Sequence, residues 1–297
     1  MNYKELYNNI LKKKSFLCIG LDTNPALIPD FLSESDYPLF EFNKAIIDAT
    51  SAFAVAYKPN LAFYEALGYR GWMQLEMTVE YIRSKDPSLF IIADAKRGDI
   101  GNTAERYAVA FFERMDCDAV TLAPYMGKDS VAPFLKFSGH WAVVLALTSN
   151  PSAEDFETLV TLEESSFFLN GGAQEQTGLS SKQVAPLFRR VIETAMSWGT
   201  QDNTMFVVGA TRPEKLAEIR EYCPNHFFLV PGVGAQGGSL KEVVKYGMNS
   251  SCGLLVNISR DIIFAWKKEK SGFSEQNYAQ AAAVAAEAVA LEMKNYL

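Results

Sequence analysis

The sequence predicts a (β/α)8 barrel, and three observations point to it. Eight short apolar runs recur along the chain: "SFLCIGLD", "FAVAYKPN", "LFIIADAK", "DAVTLAPY", "WAVVLALTSN", "MFVVGATR", "HFFLVPGVG" and "CGLLVNISR". Each is apolar at both alternating sets of positions, as suits a parallel strand covered on both faces. Helix-like stretches separate them, and nearly every run ends in a polar residue. Strands alternating with helices at about 30 to 40 residues per unit give a barrel. An open doubly wound sheet is the alternative, but it rarely needs eight such units.

Taken in order, helix-like stretches between the runs include Glu41 to Ala54, Trp72 to Ser84, Thr103 to Arg114, Val184 to Trp198 and Arg212 to Tyr222. The tail "YAQAAAVAAEAVALEMKNYL" reads as an alanine-rich amphipathic helix that closes the outer ring. Residues 152–183, which contain "GGAQEQTGLSS", break the rhythm. They read as a loop insertion after the fifth strand within one 1–297 domain. A tolerated surface insertion is the simpler reading, and a partial cover over the barrel mouth the sharper one.

Composition narrows the setting. The 297 residues are 48% hydrophobic, enough for a large core, and carry a net charge of -7. That acidity argues against a nucleic-acid binder, because no basic excess exists to neutralise phosphates. The start "MNYKELYNNILKKKSF" has no signal-peptide core, and no run approaches the roughly 20 apolar residues of a membrane span. A cytoplasmic protein without a membrane partner is the expectation. Cys18, Cys117, Cys223 and Cys252 lie far apart, and the two histidines, His140 and His226, have no metal-ligand spacing. No metal centre is therefore expected. Cys18 and Cys252 fall inside apolar runs and read as buried thiols.

In a barrel the working residues stand at the C-terminal ends of strands. Those ends here carry Asp22, Lys58 with Asn60, Asp94 with Lys96, Tyr125, Thr148 with Ser149, Thr211, Gln236 and Arg260. The third end is the densest: "DAKRGDIGNTAERYA" follows the buried run "SLFIIA". Carboxylates and a lysine beside a buried strand are costly unless they pair or work. Asp94 and Lys96 are two apart, so both side chains should face the mouth. "GDIG" then turns the chain and puts Asp99 where the next helix begins. Alone, DxKxxD reads as well as a surface salt bridge with Asp99 as helix cap. Its place after the third strand, with Lys58 after the second, favours chemistry. Independently, "PGVGAQGG" after the seventh run lets backbone amides approach an anion, in the loop where barrels commonly hold phosphate.

"DAKRGDIGNTA", with "AYKPN", "LTSNP" and "PGVGAQGG" in this order, resembles the orotidine 5'-phosphate decarboxylase family, in its longer bacterial branch. The resemblance runs from "CIGLD" to "NISRDII". It implies removal of CO2 from orotidine 5'-phosphate to give UMP, in pyrimidine biosynthesis, without metal or organic cofactor, through a carbanion-like species at C6. It makes Lys96 the ammonium that meets the developing charge and protonates C6, within an alternating array of Lys58, Asp94, Lys96 and Asp99. Flanking carboxylates keep such an amine charged. It also implies a homodimer in which Asp99 and Thr103 enter the neighbour's site. Asp94 would lie near the departing carboxylate, Asp22 at the ribose hydroxyls and Ser149 at the pyrimidine, with Thr148 close enough to compete for that place. Gln236 and Arg260 would grip the phosphate beside the Gly234 loop. Two rivals stand beside this reading. Magnesium-dependent sugar-phosphate decarboxylases and aldolases share DxKxxD but carry an acidic residue where this chain has Lys58. A non-catalytic nucleotide-binding barrel is the other.

Overall fold

A computed structural model describes residues 1–162, 184–269 and 271–297. The strands are β1 (Leu17–Leu21), β2 (Ala56–Pro59), β3 (Phe90–Arg97), β4 (Ala119–Leu122), β5 (Trp141–Leu147), β6 (Val160–Leu162), β7 (Val184–Pro186), β8 (Thr204–Val208), β9 (Phe227–Pro231) and β10 (Leu254–Ile258). Eight of them close a parallel barrel in the order β1-β2-β3-β4-β5-β8-β9-β10, with β10 back against β1. The predicted (β/α)8 class is the observed one. β6 and β7 form a separate antiparallel pair.

The helices are α1 (Tyr3–Lys13), α2 (Pro38–Thr50), α3 (Leu61–Glu65), α4 (Gly68–Lys85), α5 (Gly101–Ala108), α6 (Lys128–Leu135), α7 (Leu187–Met196), α8 (Pro213–Tyr222), α9 (Leu240–Gly247), α10 (Arg260–Ile263) and α11 (Tyr278–Lys294). α1 starts on a capping box, Asn2 with Glu5, and carries Lys12 and Lys13 in its last turn, so both helix ends are electrostatically matched. α5 runs into a wider π-helical turn over Val109–Arg114, where the Met115 N–H donates to the Ala110 carbonyl at 3.1 Å. α11 buries Tyr278, Ala282, Ala286, Ala290 and Met293 along one stripe. That stripe packs against α2, where Phe42 stacks on Tyr278 at 5.1 Å.

The core follows from strands buried on both faces. Trp141, Tyr57, Phe90, Phe206, Phe227 and Phe228 are fully buried within or between them, each contributing on the order of 1.5–3 kcal/mol by burial. At the N-terminal end of the barrel, Arg220 of α8 donates to the carbonyls of Cys223, Pro224, His226, Gly247 and Gly253. Its guanidinium lies 3.7 Å from the centre of the Phe228 ring.

The stretch Val184 to Trp198, read as one helix, needs correction: Val184–Pro186 is the strand β7, and the helix begins at Leu187. The cause is Pro186, whose ring pushes the preceding residue out of the helical region and whose own backbone is extended. α6 and α9 fill two further intervals between barrel strands. Of the expected insertion, residues 152–162 form a short 3-10 turn and β6, and 163–183 lie outside the described residues. No helix among the described residues is long and apolar enough to cross a membrane.

Candidate active site

The C-terminal ends of the barrel strands enclose a cavity of about 270 Å³. Asp22, Lys58, Asn60, Asp94, Lys96 and Thr121 line one side. Thr148, Ser149, Asn150 and Gln236 face them over a floor of Leu145, Val207 and Leu229. A smaller lobe of about 90 Å³ continues from it, sharing Asp22, Pro231, Gln236 and Asn257 and adding Arg260. A larger cavity, about 520 Å³, lies elsewhere, between the Gly234 loop and α11. Its lysine, Lys268, is paired to Asp261 at 2.7 Å. Unlike charges converge in the 270 Å³ cavity, which makes it the candidate site.

Asp94 is the hub. Its carboxylate is 8% exposed and accepts from Lys58 Nζ at 2.7 Å, Lys96 Nζ at 2.5 Å and Thr121 Oγ1 at 3.0 Å. Burial pushes its pKa up, but the charges of Lys58 and Lys96 and their hydrogen bonds outweigh that and hold it far below the carboxylate range. Burial likewise opposes the Lys58 ammonium, yet the charges of Asp94 and Asp22 hold its pKa above the usual lysine value. Both groups are therefore ionised at neutral pH. Asp22 Oδ1 stands 3.9 Å from Lys58 Nζ and is buried without a hydrogen-bond donor. An acceptor left in that state offers a place for a ligand hydroxyl. Beneath the array the Cys18 thiol is pushed up to about 12, chiefly by burial, and stays neutral.

Lys96 does not simply continue the strand. Its backbone φ is 47°, the β3–β4 register shifts between Ala93 and Arg97, and its N–H donates to Thr121 Oγ1 at 2.9 Å. A left-handed residue with a Cβ is strained, and such strain gathers at functional sites. The side chain remains 51% exposed, reaching into the mouth from above.

On the opposite wall Ser149 Oγ donates to Gln236 Oε1 at 2.7 Å. Gly209 permits this approach, since a Cβ there would stand 2.8 Å from Ser149 Cα. Thr148 lines the same wall, with its hydroxyl 2.6 Å from Asn150 Oδ1 and 2.8 Å from Glu157 Oε1.

Of the residues singled out from sequence, Asp22, Lys58, Asp94, Lys96, Thr148, Ser149 and Gln236 line one cavity, and Arg260 lines its smaller lobe. Asp99 and Thr103 line neither. Asp99 accepts from its neighbour Ile100 N–H at 2.8 Å and supplies no side-chain cap to α5, and Thr103 is exposed. Gly234 also lies outside both lobes. Its φ of +80° and the Asp261 carboxylate, 2.3 Å from where a Cβ would stand, make it a turn residue of the loop. Thr121 and Asn257 were missed. Both are lone polar residues inside apolar strands, "AVTL" and "LLVNI", and the cost of burying such a group was the available signal.

The model of the orotidine 5'-phosphate decarboxylase / HUMPS family matches residues 15–272. The chain belongs to that family. Over its full length it is 51% identical to the orotidine 5'-phosphate decarboxylase of Phocaeicola vulgatus, covering 99% of that protein. It is 52% identical to that of Parabacteroides distasonis, covering 96%. The solved structure of Leishmania donovani OMP decarboxylase superposes with a TM-score of 0.77 at 31% identity, covering 100% of this chain and 99% of that one. The family match thus spans all eight barrel strands, from β1 to β10.

Proposed function

We propose that the chain decarboxylates orotidine 5'-phosphate to UMP, a step of pyrimidine biosynthesis, without metal or organic cofactor. The observation that carries this is the ionised Asp94, gripped by Lys58 and Lys96 at the mouth of the barrel. The C6–carboxylate bond breaks, CO2 leaves, and the electron pair stays on C6. That carbanion has no conjugated sink, so stabilisation must come from charge already in place. Lys96 Nζ supplies it and then gives its proton to C6, and water reprotonates the amine. Asp94, itself fixed by Lys58, pairs with Lys96 Nζ and keeps it aimed. Repulsion between Asp94 and the departing carboxylate is a weaker explanation than preorganised charge.

Asp22, with its donor-less oxygen, takes a ribose hydroxyl. Ser149 meets the pyrimidine, because the Thr148 hydroxyl is engaged by Glu157. Gln236 and Arg260 take the phosphate in the smaller lobe, beside the loop that Gly234 turns. Two copies work together in the cytoplasm, and Asp99 and Thr103 of the partner subunit complete each site. The absence of both residues from the cavity of their own chain supports this, as do the exposed Ile100, Tyr125 and Met126 on the neighbouring loops. The magnesium-dependent relatives are disfavoured because the Lys58 ammonium stands beside Asp22 and Asp94 and would repel a cation. The test is the absorbance of orotidine 5'-phosphate incubated with the protein, with and without EDTA. Chelator-insensitive turnover is expected. No turnover, or turnover restored by magnesium, would overturn the reading.

A further inference from the structure

The segment after β5 holds a carboxylate that none of the assignments above uses as a working group. Glu157 follows the 3-10 turn Pro151–Asp155 and precedes β6. Its backbone is fixed from two sides. The N–H donates to the Ala153 carbonyl at 2.8 Å, and the carbonyl accepts from the Phe188 N–H of α7 at 2.8 Å. From that anchor the side chain reaches back to the end of β5. Oε2 accepts from the Thr148 backbone N–H at 2.7 Å, and Oε1 stands 2.8 Å from the Thr148 hydroxyl, whose proton it shares with Asn150 Oδ1 at 2.6 Å.

Both donors belong to the residue directly before Ser149. Among the described residues, Ser149 itself has two further hydrogen bonds: Thr211 Oγ1 donates to its carbonyl at 3.4 Å, and its own hydroxyl donates to Gln236 Oε1 at 2.7 Å. The geometry points to Glu157 as a positioning residue, whose two-pronged grip on Thr148 sets where Ser149 meets the substrate ring. An ionised acceptor makes bonds roughly twice as strong as a neutral one. A glutamine there could accept one of the two and would turn an N–H₂ toward the other donor. The start of the expected insertion would thus be part of the reaction's scaffold. This inference rests on the decarboxylase reading and on Ser149 as the pyrimidine contact.

The experiment measures kcat/KM for Glu157→Ala on orotidine 5'-phosphate and on orotidine. A misplaced contact group costs on the order of tenfold to a hundredfold. The loss should be equal on the two substrates, because the ring end is disturbed and the phosphate end is not. The same substitution is then made in a Ser149→Ala background. With the positioned hydroxyl gone, Glu157→Ala should add no more than about a twofold loss there. An undiminished loss in that background would overturn the inference, as would wild-type kcat/KM in folded Glu157→Ala. If Glu157→Ala fails to fold by circular dichroism, Glu157→Gln in the same two backgrounds decides, with a smaller loss that again vanishes without Ser149. Wild-type protein inactive on orotidine 5'-phosphate would overturn the decarboxylase reading itself. An active wild type with no coupling between Glu157 and Ser149 overturns only the positioning role.

Discussion

Lys96 offers a comparison in which backbone and chemistry separate. Lys96→Ala and Lys96→Gly remove the same ammonium and the same half-exposed ion pair with Asp94, so those losses cancel between the two. What differs is the fit of each residue to a φ of 47°. A residue with a Cβ in the left-handed region pays about 1–2 kcal/mol. The greater freedom of glycine in the unfolded chain takes back about 0.4–1 kcal/mol. Lys96→Gly should therefore be more stable than Lys96→Ala by about 0.5–1 kcal/mol, whereas at an ordinary strand position glycine is the worse by about that amount. Urea unfolding of both proteins at pH 7, with matching m-values, reads the difference. An alanine variant as stable as the glycine variant, or more so, would refute the claim that this backbone is strained. Both variants should be inactive on orotidine 5'-phosphate, and substantial turnover by folded Lys96→Ala would remove Lys96 as proton donor.

Lys58→Met should destabilise the protein at pH 7 by about 3 kcal/mol, the low end for breaking a buried pair, because Lys96 and Thr121 still hold Asp94. Asp94 has its folded pKa below the ordinary 3.8. Its stabilisation is complete above that value and lost as pH falls through the folded one. The gap between wild type and Lys58→Met in urea unfolding should thus narrow below about pH 4, and a gap that widens on acidification would contradict the ionised hub. Arg260→Ala should weaken turnover of orotidine 5'-phosphate strongly and of orotidine little, measured as kcat/KM, since only the first carries the dianion. Lys96→Ala and Asp99→Ala proteins, each nearly inactive, should recover roughly a quarter of wild-type activity after subunit exchange, because half the dimers are mixed and each of those holds one intact site. No recovery after verified exchange would mean that Asp99 does not act across the interface.

The barrel was legible because its strands are buried on both faces, which leaves apolar runs such as "FFLVP" with no alternation to confuse them. The strand-end rule then carried Asp22, Lys58, Asp94 and Lys96 to one cavity. Short helices were harder to read. α6 contains Pro133, a residue that ordinarily argues against a helix, and α9 spans only eight residues. The grip of Glu157 on Thr148 was invisible for another reason: partners nine residues apart across a turn leave no periodic signature. The left-handed Lys96 was hidden as well, since nothing in "DAKRGD" announces a positive φ at a residue other than glycine.

The Arg220 knot gives the molecule two ends of different character. At the mouth the ties are ionic and belong to particular side chains. At the opposite end a single guanidinium, lowered by burial to about 10 but still charged at neutral pH, is met by main-chain oxygens. A carbonyl keeps its place whatever side chain its residue bears. Sequence drift at Cys223, Pro224 and His226 should thus leave the tie in place, while Arg220 itself has no substitute. The base of the barrel can diversify around one fixed residue, and the mouth cannot change even one charge without rebalancing the rest.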